Sequence, residues 1–465
     1  MLSFTTKQKS ALEFLVALIL GLCLSFIFEN PSWLLVIGIS GVVFLLVFAM
    51  KNMKYFMLLL LAVKPFIDLS WSVELFKLGG TVINPLRITG ILVFCFAIYL
   101  YFVRPTRRRL FNEGAIWLFL ILNILTCVIA VLSTNKGVLS SLDNVIRVID
   151  AYLLYLIFHR FIQTEMDIRR IVQTIWISTL LVSIGSIVSY FTGSYEVDVS
   201  QQVERFAGLY NDPGTPAYTA VISMMFGSLY LRLLKSQGRR TPLSVTVALV
   251  VTMLVAIFLM RITITKSAIV SMFVFVMMWW GVSKKKLIVV IPLVIIVSYY
   301  AYTMEEEIRV RTASEVGFVM EGLSSGEFTV NAARPIGSGR VYHWEQVLSY
   351  YYRRYNTFEK LMGTFQTFSA HNQYIAYLMQ LGIIGLTVFI AILARFYGKL
   401  ISLYRIYRKP ELYMAIIVLT VFIVYGMTGH PFYYTTLLWY LMILLSFINV
   451  YRFGIEREES LGTHG

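Results

Sequence analysis

Apolar runs of about 20 residues recur along almost the whole chain. A helix rises 1.5 Å per residue, so a run of ~20 residues crosses the ~30 Å hydrocarbon core of a bilayer. Composition follows from those runs. Of 465 residues, 58% are hydrophobic and only 14% charged, where soluble domains carry about 25% charged residues. Mean hydropathy is +0.74. The sequence therefore predicts an all-α polytopic membrane protein. Cys23, Cys95 and Cys127 lie inside apolar runs, where a thiol packs as a small hydrophobe, and they form no disulfide or metal pattern. Lys7 and Lys9 precede an apolar run from Ala11 and imitate a signal peptide. No small-residue cleavage site follows, and the segment "FEN-PSW" leads straight into a second run, so an uncleaved first helix is expected.

About fourteen spans are expected, with twelve as the lower count: near 11–28, 32–50, 55–71, 86–103, 114–133, 144–162, 170–192, 215–234, 242–260, 264–282, 286–303, 371–394, 411–428 and 432–451. Residues 1–303 would hold the first eleven, 304–370 one large outer loop, and 371–465 the last three with a tail. Positive charge alternates sharply between connecting segments. One set, including the "RPTRRR" run, "RLLKSQGRR", "KKK" and "RFYGKLISLYRIYRK", holds 25 of the 40 lysines and arginines. Short loops rich in Lys and Arg are cytoplasmic, which puts both termini inside and the long loop outside. The net charge of +15 is thus mostly a topology signal. Nucleic-acid binding would need the basic residues gathered on one soluble face, and they are not.

Within the outer loop, 304–339 reads as a short helix and a loop. Residues 340–362 place Val341, Trp344, Val347, Leu348, Tyr351 and Tyr355 at helical spacing, which predicts one amphipathic helix on the membrane surface or over a cavity.

Ionisable residues inside or at the edge of spans are costly and so mark function by default. Lys64 with Asp68 and Arg147 with Asp150 read as internal pairs that neutralise each other. Arg353 and Arg354 suit the headgroup region. The others collect on the outer side: Arg205 in "VERFAGLYNDPGTPAY", Arg261 and Lys266 in "MRITITKSAIV", Arg334 and Arg340 in "ARPIGSGR", and His371 opening the twelfth span. Arginine's planar fork holds phosphate oxygens bidentately, lysine adds a point charge, and a helix N-terminus adds N–H donors. The implied ligand is amphiphilic, with an apolar tail in the bilayer and phosphate at its surface.

The run "GSGR-VYHW" through "LMGTF" to "AHNQYIAYLMQLGIIGL" resembles the signature of the O-antigen ligase and O-antigen polymerase (Wzy-like) superfamily. The matching positions are Ser338, Gly339, Arg340, Trp344, Gly363, His371, Asn372, Gly382 and Gly385. "RFAGLYNDPGTPAY" is similar to that family's Arg-x-x-Gly-x-x-x-x-Pro segment. The specific motifs cover roughly 205–270 and 335–390. The resemblance implies a GT-C-like fold in the bacterial inner membrane with the active site on its outer face. It implies transfer of a glycan from undecaprenyl pyrophosphate to a lipid-linked repeat unit, or in a ligase to lipid A-core, with a flippase and a chain-length regulator as partners. It implies His371 as catalytic base and Arg340 as pyrophosphate contact, with Asn372 and Trp344 in support. The family's second arginine is replaced by Lys266, so that contact is shared among Lys266, Arg261 and Arg205.

The residues permit that chemistry. Fixed cations can neutralise a departing pyrophosphate as a divalent metal does elsewhere. No DxD-like pair or ligand cluster appears on the outer side, so no metal and no cofactor is expected. An imidazole of ordinary pKa ~6.5 is a suitable base, and in-line attack would invert the anomeric centre. His430 and His343 compete with His371 for the role. A transporter or flippase would need charge along a path through the bilayer, and a scaffold would tolerate loss of His371 and Arg340.

Overall fold

The computed structural model describes residues 53–70, 73–74, 76–78, 81–103, 109–134, 138–200, 203–210, 212–238, 240–263, 265–279, 340–364, 371–432 and 434–462. The spans expected at 11–28, 32–50 and 286–303, and the loop segment 304–339, lie outside the described residues. The other eleven expected spans all fall on helices. These are α1 Met53–Asp68, α2 Pro85–Val103, α3 Glu113–Thr134, α4 Val138–Phe158, α5 Glu165–Thr192, α6 Gly214–Ser236, α7 Leu243–Thr263, α8 Lys266–Trp279, α11 Gln373–Tyr407, α12 Pro410–Gly426 and α13 Thr435–Gly462. Between α8 and α11 stand α9 Arg340–Arg354 and α10 Thr357–Met362.

Six helices, α3, α5, α6, α7, α11 and α13, are long and apolar enough to cross a membrane, and α2, α8 and α12 are shorter apolar helices. Burial sorts them. In the most apolar stretch of α6, 83% of residues are buried, against 28% in α7. Ala151–Phe158 of α4 are wholly buried, as are most of α12 and residues 436–449 of α13. The outer helices instead expose large apolar side chains, such as Ile121, Val128 and Leu132 on α3 and Val247, Leu254 and Ile257 on α7. Apolar faces of this extent suit lipid and not water. The chain is a multi-pass membrane protein built around α4, α6, α12 and α13.

Contacts between helix ends define two poles. At one, Thr436 of α13 donates to Asp68 of α1, Tyr434 to Asp212 before α6, Thr265 before α8 to the Pro213 carbonyl, and Asn372 before α11 to the Met427 carbonyl after α12. At the other, Lys409 pairs with Glu165 at 2.6 Å, Arg160 donates to the Leu100 carbonyl, and Arg452 to the Arg109 carbonyl. Of the basic segments expected to share a side, those around Arg160, Lys409 and Arg452 meet at this second pole; Lys7, Lys9 and the "KKK" run lie outside the described residues.

Two short antiparallel ribbons lie at the first pole, and the sequence reading placed neither. One pairs β1 Phe76–Leu78 with β2 Thr81–Ile83, and the other β3 Glu196–Ser200 with β4 Val203–Gly208. Each is too short to rival the hydropathy of the flanking spans, yet "KLGGTVI" carries the Gly-Gly flanked by β-formers that favours a hairpin.

The single helix expected over 340–362 is two. Asn356 caps α10, its side chain accepting from the Glu359 N–H while Glu359 reaches back to the Asn356 N–H. That capping box starts a new helix and turns the chain at Tyr355. Val347, Tyr351 and Tyr355 are buried as the periodicity predicts, packed with Met379 of α11. Trp344 is half-buried.

The end of α10 crosses α11 backbone on backbone. Gly363 and Gly382 both take left-handed φ, at 79° and 65°. A Cβ on Gly363 would overlap the Gln380 carbonyl, and one on Gly382 the Leu361 carbonyl. Gly382 also interrupts the helical geometry of α11, producing a kink. Only glycine meets both demands. Gly382→Val should therefore lower the midpoint of thermal unfolding in detergent by several degrees, and by more than Gly398→Val, where a Cβ meets nothing within 4 Å.

Candidate functional site

The site is built on the turn between α12 and α13, "MTGHPFYYTT". Three neighbours fasten it. From α11, Asn372 both caps its own helix, accepting from the Tyr374 and Ile375 N–H groups at 3.0 and 3.1 Å, and donates to the Met427 carbonyl at 3.0 Å. Gln373, fully buried, accepts from the Phe432 N–H at 3.3 Å. From the start of α6, Asp212 accepts from the Tyr434 hydroxyl. From α1, Lys64 and Asp68 form an ion pair, and Thr435 and Thr436 bond to it. The pair is the internal one expected from its spacing. Lys64 lies 5.0 Å from the Trp439 ring centre, a favourable place for a desolvated ammonium.

On this frame His371 and His430 approach each other, with ring centres 6.1 Å apart and planes 32° from parallel. His371 is exposed and takes a left-handed φ of 45°. His430 is half-buried. Burial first, and then the positive fields of His371 and Arg340, push its imidazole down to about 4. Arg340, the N-terminal residue of α9, and His371 thus both lie within electrostatic reach of His430. Arg340 also lies within electrostatic reach of Tyr218 on α6, as does Asp212.

The expected site residues divide. His371 and its neighbour Asn372 lie at the start of α11 beside His430, and Arg340 lies within electrostatic reach of His430. Lys266 opens α8, half-buried, next to Thr265, which ties that helix start to Pro213 in the turn of Asp212. Arg261 is exposed on the last turn of α7. Arg205 lies in β4, in register with Asp198. His343 is half-buried on α9. In the pair read as Arg147 with Asp150, Asp150 is buried and within reach of the charge of Lys64. Among the described residues no group of three His, Cys, Asp or Glu is placed to hold a metal ion.

Sequence reading missed a second set. Tyr218 of α6 and Tyr425 of α12 stack at 3.6 Å with planes 14° apart, and Tyr434 continues the stack at 6.4 Å from Tyr425. Asp212, bonded to Tyr434, belongs to the same group. The "NDPG" turn and the "FYY" after His430 were visible as polar and aromatic punctuation, but no periodicity links residues so far apart.

Comparison with protein-family models and with characterised proteins finds no match for this chain.

The low His430 value has a sign. Unfolded, this imidazole takes a proton near pH 6.5; folded, only near 4. Stability is therefore lost as pH falls from 6.5 toward 4. His430→Asn should flatten that loss, measured as a smaller drop in unfolding midpoint between pH 7 and pH 5 than in the wild type.

Proposed function

We propose that this chain polymerises lipid-linked oligosaccharide repeat units, transferring a glycan from undecaprenyl pyrophosphate to a sugar hydroxyl at the outer face of a bacterial inner membrane. The observation that supports this most directly is that Arg340 and His371 both lie within electrostatic reach of His430. Such a constellation offers a guanidinium able to bind phosphate and an imidazole able to act as a base. In this reading the chain has fourteen spans in a GT-C-like arrangement, with both termini cytoplasmic.

The chemistry proceeds in one displacement. The acceptor hydroxyl oxygen attacks the anomeric carbon as His371 takes its proton. The bond from that carbon to the pyrophosphate oxygen breaks, and the electron pair leaves with undecaprenyl pyrophosphate. Arg340 neutralises the departing charge, with Lys266 at the next helix start. Inversion follows from in-line geometry. The left-handed φ of His371 supports the assignment, because non-glycine residues in that region concentrate where function holds them. His430, neutral across the physiological range, adds no charge that would compete with proton uptake by His371. The partners of the reading are the donor lipid, an acceptor lipid-linked glycan, a flippase and a chain-length regulator.

His371→Ala should reduce chain extension by roughly 10²–10⁴-fold and Arg340→Ala by roughly 10²–10³-fold, with protein level unchanged on immunoblots. Long-chain product of normal abundance in the His371→Ala strain would overturn the assignment. Deleting the gene should lead to accumulation of single lipid-linked repeat units, seen by mass spectrometry. Accumulation of full-length lipid-linked polymer would instead identify a ligase acting on lipid A-core.

The cations also set an expectation for metals. EDTA added to the purified enzyme should leave its rate within about twofold. A collapse restored by magnesium would assign the leaving-group charge to a metal instead.

A further inference from the structure

Resting on the reading above, we infer that Asp212 and Tyr434 form a saccharide subsite beside the phosphate site, binding a sugar hydroxyl adjacent to the pyrophosphate. Cations alone cannot do this. Arg340 and Lys266 recognise phosphate, but a sugar hydroxyl also offers a proton, and neither side chain accepts one. A carboxylate accepts from up to four directions. Asp212 uses one oxygen, Oδ2, to hold the Tyr434 hydroxyl. Its Oδ1 is a second acceptor not used by that tether, and the residue is half-buried rather than sealed. The carboxylate is thus fixed in direction by one oxygen, with the other outside that bond.

Three further features point the same way. The tether fixes Asp212 to the very turn that carries His430, four residues before Tyr434. Gly214 leaves the room: a Cβ there would lie 2.9 Å from Asp212 Oδ2 and 3.5 Å from the Tyr425 hydroxyl. The stacked rings of Tyr218, Tyr425 and Tyr434 form a rigid aromatic wall behind the carboxylate, and Tyr218 feels the charges of both Asp212 and Arg340. A carboxylate beside an aromatic wall, within the field of a phosphate-binding arginine, is complementary to a sugar phosphate ester. It has no special complementarity to a bare phosphate, which the negative charge of Asp212 repels.

The test compares two probes on the full-length protein in nanodiscs. One is undecaprenyl pyrophosphate without a sugar. The other is the lipid-linked glycan that accumulates in the gene-deletion strain. Asp212→Asn should weaken binding of the glycan-bearing lipid about tenfold or more, since one charge-assisted hydrogen bond is lost. Affinity for the bare lipid should stay the same or rise. Tyr434→Phe, which keeps the carboxylate but frees it, should produce a smaller loss with the same selectivity. Equal weakening of both probes by both variants would show that the tether only holds the turn in place, and would overturn the subsite. No effect of either variant on either probe would do the same. Failure of the wild type to bind either probe would instead remove the glycosyl-transfer reading on which the subsite rests. Should Asp212→Asn not fold, the selectivity of Tyr434→Phe decides alone.

Discussion

One turn is held by three neighbouring helices, and the residues gathered around it depend on it. The α12–α13 connection would be a free loop in most membrane proteins. Here Asn372 and Gln373 of α11, Asp212 at the start of α6, and the Lys64–Asp68 pair of α1 all bond to it. Each bond lies where the surroundings exclude much of the water, and an unmade bond in such a place costs about 1–3 kcal/mol. The arrangement is therefore specified by the penalty for breaking it more than by the modest net gain of each bond.

Electrostatics divides the molecule. One pole gathers arginines and lysines that meet carbonyls and carboxylates at helix ends. At the other, the Lys64–Asp68 pair and Asp212 have defined neighbours among the described residues. Lys64 shows the difference. Its ammonium is almost wholly buried, which would be prohibitive alone, yet Asp68, Thr435 and the Trp439 face surround it. Removing Asp68 would strand a buried ammonium, and the pair's bonds to Thr435 and Thr436 fasten α1 to the start of α13.

Much of the fold was legible because lipid imposes a simple demand. Apolar length and basic alternation located eleven helices and the pole at which each ends. The Lys64–Asp68 pair was legible from i,i+4 spacing. The break at Asn356 was written in "NTFE", a capping box, but an uninterrupted apolar stripe from Val341 to Tyr355 masked it. At the site, Arg340, His371 and Asn372 could be named from local pattern, since a polar residue at a helix start stands out against a hydrophobic run. The Tyr218–Tyr425–Tyr434 stack could not. Each tyrosine is one of 29 and looks like an ordinary interfacial ring. Only the packing of α6 against α12 gives them a common axis. Asp212 was hidden similarly, within a turn whose glycine and prolines drew the eye first.

The glycine crossing between α10 and α11 has a mechanical consequence. Thr364 donates its N–H to the Met379 carbonyl, Tyr355 bonds to Thr364, and Met379 is buried among Val347, Tyr351 and Tyr355. The α9–α10 elbow and the first segment of α11 are thus one body, which carries Arg340 on α9 and His371 at the start of α11. The kink at Gly382 sets that body off from the long remainder of α11. The Asn372 and Gln373 bonds tie that body in turn to the α12–α13 connection, so Arg340, His371 and the His430 turn are carried on one linked unit.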